Sequence, residues 1–117
     1  MAKAEGYKKF IVEALKSIMA VDSPTGFSKE INRKLAELLA EAGYAAETTN
    51  KRLVKVSVKG EKHDKKIAVS AHVDTLGAMV RSISADGKIR FTRLGGPILP
   101  TFDGEYCRVY ADGGKIY

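Results

Sequence analysis

The sequence predicts an α/β fold on three observations. Apolar residues recur at three- and four-residue spacing through the first 42 positions, clear alternation replaces that rhythm over residues 53 to 59 and again from Ala78, and a run at 66 to 72 is apolar on both faces. Two helices laid on a mixed sheet accommodate all three, because each helical stripe needs a sheet face to cover it.

The first helix is expected over residues 4 to 21, where Phe10, Ile11, Ala14, Leu15, Ile18 and Met19 fall on one face. It stops at "DSPTGFS", residues 22 to 28, whose Pro and Gly break a helix and whose Asp, Ser and Thr suit the start of the next. The second helix runs to about residue 42 with Ile31, Leu35, Leu38, Leu39 and Ala42 aligned, and Gly43 stands where a left-handed cap belongs.

Three strand candidates follow. "AAETTN" (45 to 50) is weak, "LVKVSVK" (53 to 59) alternates clearly, and "KIAVSAH" (66 to 72) has the composition of a central strand between two layers. From Ala78 the chain turns all-β. "AMVRSISADGKIRFTRL" carries a two-residue hairpin signal at Asp86-Gly87, and "YCRVYADGGKIY" repeats the arrangement around Gly113-Gly114. Only Lys115, Ile116 and Tyr117 follow that second turn, half of an ordinary strand of about 5 to 6 residues, so the chain is expected to be part of a longer design.

Composition bounds the function classes. With 44% hydrophobic and 29% charged residues, the 117-residue chain reads as one ordinary globular domain. No apolar run approaches the roughly 18 residues of a membrane span and no leader pattern opens the chain, so a cytoplasmic address and no membrane partner are expected. A lone Cys107 rules out an intrachain disulfide or a Cys-rich zinc module, and it reads as a buried or half-buried strand residue.

The net charge of +6 raises nucleic acid as a partner. Most of the excess lies in residues 51 to 66, where Lys51, Arg52, Lys55, Lys59, Lys62, Lys65 and Lys66 oppose only Glu61 and Asp64. Lys55 and Lys59 alternate with Val54, Val56 and Val58 as on the wet face of a strand, and no aromatic interleaves to stack on bases. No nucleic-acid partner is therefore expected. The alternative function class is a non-catalytic α/β module that binds a protein or polyanion through this basic face.

The chemistry concentrates in "VSAHVDTLGAMV", residues 69 to 80. His72 ends the most apolar strand candidate, and ligands of open α/β sheets sit beyond the carboxyl ends of strands. Residues two apart on extended chain point the same way, so Asp74 can reach one imidazole nitrogen of His72 and leave the other for a metal. A hydrogen-bonded histidine on a capped strand end is the competing account of the same residues. His63, amid charges in "GEKHDKK", is expected to be solvent-exposed. "DSPTGF" reads first as an interhelix turn and second as a site-facing loop. Gly95, Gly96 and Pro97 precede no helix, so no phosphate-cradling loop is expected.

The order "DSPTGFSKE", "AHVDTLGAMV", Asp-Gly hairpin, "RFTRLGG", "DGEYCRVY" resembles the N-terminal part of metallopeptidase family 42, the glutamyl and TET-type aminopeptidases, across essentially the whole chain. The resemblance implies a partial three-layer α/β zinc-exopeptidase catalytic domain in residues 1 to 77. Residues 78 to 117 would then begin an inserted β-barrel domain used in dimer formation. It implies two divalent metal ions, zinc or cobalt, with His72 as a ligand of one and Asp74 as the carboxylate that orients it. It also implies a peptide substrate that loses its N-terminal residue to an activated water, a glutamate serving as general base.

The family's bridging aspartate, glutamate pair, further aspartate and last histidine have no counterparts in these 117 residues. A catalytic zinc takes three protein ligands plus water, so this chain alone is expected to be inert, with at most weak binding of a single metal. Unpaired sheet edges lead to the expectation of a homo-oligomer.

Overall fold

The computed structural model describes residues 2–62 and 64–117. His63, expected in a turn, lies outside them. Helix α1 (Ala2–Met19) and helix α2 (Lys29–Glu41) match the two apolar periodicities. Helix α2 closes as its spacing predicts: the Ala42 and Gly43 amides return to the carbonyls of Leu38 and Ala40, and Gly43 takes a φ of 84°. Its inner face supplies the one fully buried apolar side chain among the described residues, Ile31. Beside it the buried Asn32 donates Nδ2–H to the Arg52 carbonyl at 2.8 Å, so its amide is not left unpaired.

Strands β1 (Ala46–Thr48) and β2 (Val54–Val56) form an antiparallel pair with Glu47 opposite Lys55, and α2 packs on both. Val54 and Val56 are half-buried while Lys55 faces solvent, 3.8 Å from Glu47. The alternation read from 53 to 59 is therefore present, but shorter than expected.

Strands β3 (Gly77–Ile83) and β4 (Ile89–Leu94) form a second antiparallel pair, with a register shift between Val80 and Ser82 that leaves Arg81 without an opposite number. The turn differs from the two-residue type expected. Ser84 N–H reaches the Lys88 carbonyl at 3.0 Å and Gly87 N–H reaches the Ser84 carbonyl at 2.9 Å, enclosing Ala85, Asp86 and Gly87. This is the three-residue loop in which the last position is left-handed, and Gly87 occupies it with a φ of 81°. A short 3₁₀ turn (Leu99–Phe102) then lays Phe102 against Phe91 at 5.7 Å between ring centres. Around Gly113-Gly114 the chain folds back as predicted: Val109 and Tyr117 exchange both backbone hydrogen bonds, at 2.9 and 3.0 Å.

Three further expectations are corrected. Residues 66 to 72 form no ladder, and Ile67 and Val69 are each 93% exposed. A strand buried on both faces is created by partners on both sides; β1 and β2 pair only with each other, so the apolar run stands uncovered. Cys107 is exposed, and the segment around it belongs to no strand, so no sheet face covers it. The helical stripe of α1 is uncovered as well, with Phe10, Ile11, Leu15 and Met19 all more than half exposed. The architecture is thus α/β, with two helices and two small sheets.

Candidate functional site

The segment that matters most for chemistry lies between these sheets, where residues 22 to 25 meet residues 72 to 77. Two backbone-level contacts join them. Thr75 N–H donates to the Ser23 carbonyl at 2.9 Å, and Pro24 and Thr75 make an isolated parallel bridge. Ser23, only 1% exposed, donates its hydroxyl to the Val73 carbonyl at 3.0 Å, which satisfies a polar group that would otherwise be costly to bury. The approach is close because residue 77 is glycine: a Cβ there would lie 2.6 Å from the Pro24 Cβ. "DSPTGF" is therefore both the interhelix turn and a wall of the site.

On this frame His72 and Asp74 are brought together as the i, i+2 spacing predicts, with Nδ1 of His72 3.1 Å from Oδ1 of Asp74. The imidazole is 87% exposed and its Nε2 faces away from that contact, while Asp74 is 46% exposed. Oδ2 of Asp74 accepts a second hydrogen bond, from the Thr25 hydroxyl at 2.7 Å. The Thr25 hydroxyl is the largest influence and holds the Asp74 carboxyl below the usual carboxylate range; desolvation opposes it, and the His72 ring adds to the lowering by less. An ionised Asp74 can accept from both neighbours at once, and in a neutral imidazole this favours the tautomer with the proton on Nδ1 and the lone pair on Nε2.

That is the form in which histidine binds a metal, since ligating imidazoles commonly donate their other N–H to a carboxylate. The residues present fit a divalent ion as one ligand and its orienting partner. They do not make a complete cage: among the described residues, no three His, Cys, Asp or Glu side chains converge to hold a metal ion.

Thr25 was not singled out by sequence reasoning, because nothing in a linear pattern signals a hydrogen bond across 49 positions. The same holds for a cluster on the far side of the loop. Asp22 accepts from Arg108 through one carboxylate oxygen and from the Tyr110 hydroxyl through the other, and the Tyr110 ring lies 4.8 Å from that of Phe27. The Tyr110 hydrogen bond is the largest cause that lowers the Asp22 carboxyl below its ordinary value, with Arg108 adding to it. The same bond raises the Tyr110 phenol.

Comparison with known proteins bears on what this arrangement serves. The sequence profile of the M42 glutamyl aminopeptidase family matches residues 53–117, a stretch that contains His72 and Asp74 but not the Thr25 loop. The "Putative aminopeptidase YhfE" of Bacillus subtilis (strain 168) is 33% identical over 106 residues, covering 91% of this chain and 31% of that protein. The "Glutamyl aminopeptidase" of Lactococcus lactis subsp. cremoris (strain MG1363) is 30% identical over 106 residues, covering 90% of this chain and 30% of its own length. The chain thus spans about a third of the length of these curated relatives. Among the described residues, no helix is long and apolar enough to cross a membrane.

Proposed function

This chain belongs to the M42 glutamyl aminopeptidase family, and from that premise we propose that it contributes the first metal-binding strand end of a dinuclear, metal-dependent aminopeptidase that removes N-terminal residues from peptides. In this reading His72 ligates one of two divalent ions, zinc or cobalt, through Nε2, and Asp74 orients it through Nδ1. The observation that carries the reading is the 3.1 Å contact between Nδ1 and the Asp74 carboxylate, which leaves the other ring nitrogen open to solvent.

When bound, the ions would polarise the scissile carbonyl and lower the pKa of the attacking water. What the chain's own residues do is narrower. Asp74 holds the His72 tautomer and ring plane, and the Ser23 and Thr75 contacts hold the backbone that carries both. The close approach at Gly77 keeps the 22 to 25 loop against the site.

Among the described residues, one imidazole and one outer carboxylate fall short of the three protein ligands of a catalytic zinc, so in this reading the chain by itself binds at most one metal weakly and is inactive. Residues 1 to 77 belong to the catalytic domain, and 78 to 117 open an inserted β domain used in dimer formation. In this reading the protein is cytoplasmic and a homo-oligomer; what supports the oligomer is that, among the described residues, β3 and β4 each pair on one side only.

The test compares metal content and release of N-terminal residues from short peptides for the 117-residue chain and for a longer form that continues past Tyr117 to the relatives' length. Metal-dependent hydrolysis in the longer form alone is expected. Hydrolysis that survives chelation, or none in either form, would remove the proposal.

A further inference from the structure

A carboxylate that orients a histidine must itself be oriented. The terminal torsion of Asp is broad and nearly two-fold, so one hydrogen bond from a ring that is 87% exposed leaves the Asp74 carboxylate free to swing. The structure supplies the missing restraint from the other end of the sequence. Thr25 Oγ1 donates to Oδ2 at 2.7 Å, the shorter of the carboxylate's two contacts, while His72 engages Oδ1 at 3.1 Å.

Thr25 can do this because its loop is fixed on both sides. Toward the site, Ser23 is tied to Val73 and Thr75, and Pro24 lies against Gly77. Away from it, Asp22 holds Arg108 and Tyr110, and the Phe27 ring meets that of Tyr110 at a tilt. The Thr25 side chain itself is exposed, so it is not serving as packing.

We infer that Thr25 is a positioning residue: its hydroxyl fixes the plane of the Asp74 carboxylate, so that Oδ1 takes the Nδ1 proton of His72 and Nε2 keeps its lone pair outward. The inference deepens the proposed function and rests on the reading of His72 as a ligand. It adds a third member to the chain of contacts, outside the segment that the family profile matches.

The experiment needs no metal and no activity. The 117-residue chain, labelled with nitrogen-15, is examined by long-range proton–nitrogen spectra of the His72 ring, at an alkaline pH where those spectra themselves show a single ring proton. Exchange of the Thr75 amide, bonded to Ser23, reports whether the loop stays in place. Thr25→Val removes the hydroxyl at nearly constant volume, and Thr25→Ser restores it.

With Val, the ratio of Nδ1–H to Nε2–H tautomers is expected to fall roughly threefold, the scale of one net hydrogen bond at an exposed site, with Thr75 protection unchanged. With Ser it is expected to match the parent. An unchanged ratio in Thr25→Val overturns the inference, as does a Ser variant that behaves like Val. Loss of Thr75 protection in the Val variant also overturns it, by showing that Thr25 holds the loop rather than the carboxylate. Failure of the peptidase reading is seen separately, as a longer form that takes up no metal while the tautomer result stands.

Discussion

Gly77→Ala tests whether the contact between the 22 to 25 loop and the strand end is what holds the site together. The added Cβ would stand 2.6 Å from the Pro24 Cβ, about 0.8 Å inside the 3.4 Å at which ordinary contact begins. Neither partner can yield by a simple rotation: one atom is fixed to the backbone and the other belongs to a proline ring. The loop must therefore move out, lengthening the bond from Thr75 N–H to the Ser23 carbonyl and the bond from the Ser23 hydroxyl to Val73. Overpacking of this kind costs about 1–3 kcal/mol. At 1.4 kcal/mol per tenfold, that raises the exchange rate of the Thr75 amide by roughly 5- to 150-fold if exchange proceeds through local opening. The Ser84 amide, bonded to Lys88 in the separate β3–β4 turn, is the internal control and should keep its rate. Gly87→Ala reverses the pattern, because that position has a φ of 81° and no neighbour within 4 Å: Ser84 loses protection and Thr75 does not. An unchanged Thr75 rate in Gly77→Ala, or equal acceleration at Thr75 and Ser84, would refute the reasoning.

Further outcomes follow from the same geometry. Ile31→Ala empties the one fully buried apolar position among the described residues, and is expected to cost about 2–4 kcal/mol, read as lost helicity of α2 on mild heating. Asp22→Asn weakens the tie to Arg108 and Tyr110 by about 1 kcal/mol and reduces the ring contact between Phe27 and Tyr110 seen by proton NMR. The pH dependence of that tie has two sides. Asp22 is lowered in the folded state, so its contribution is complete above the ordinary carboxylate value and is lost as pH falls through the depressed one. Tyr110 is raised, so its contribution is complete below the ordinary phenol value and is lost as pH rises through the elevated one. The Phe27–Tyr110 contact should therefore persist across the neutral range and fade at both extremes. Asp74→Asn, in a longer form of the protein, is expected to weaken metal binding by roughly 10- to 100-fold in a competitive chelator titration, as loss of an orienting carboxylate does elsewhere.

What sequence reasoning recovered is what local chemistry determines. The stripes of Phe10 to Met19 and of Ile31 to Ala42 gave two helices within a few residues of their ends, because a 3.6-residue period is set along the chain itself. The Asp86-Gly87 turn was recovered too, although Gly87 closes a three-residue loop. Turn residues alone do not fix loop length when a serine hydroxyl at position 84 also binds the Lys88 carbonyl. The His72–Asp74 contact was legible because two residues on one extended face need no tertiary information to meet. Non-local contacts were not legible. The run at 66 to 72 has a central strand's composition, but a ladder depends on partners that β1 and β2 do not provide. The grips of Thr25 on Asp74 and of Asp22 on Arg108 and Tyr110 join residues 49, 86 and 88 positions apart, and polar side chains of ordinary type give no sign of such pairing.

The central claim is that the outward nitrogen of His72 holds a metal, and the most direct measurement is the metal content of a longer form carrying His72→Ala beside its parent, after equilibrium dialysis against dilute zinc. The account predicts two bound ions per chain in the parent, loss of at least one in the variant, and loss of peptide hydrolysis with it. Equal metal content in the two proteins, with hydrolysis intact, would contradict it.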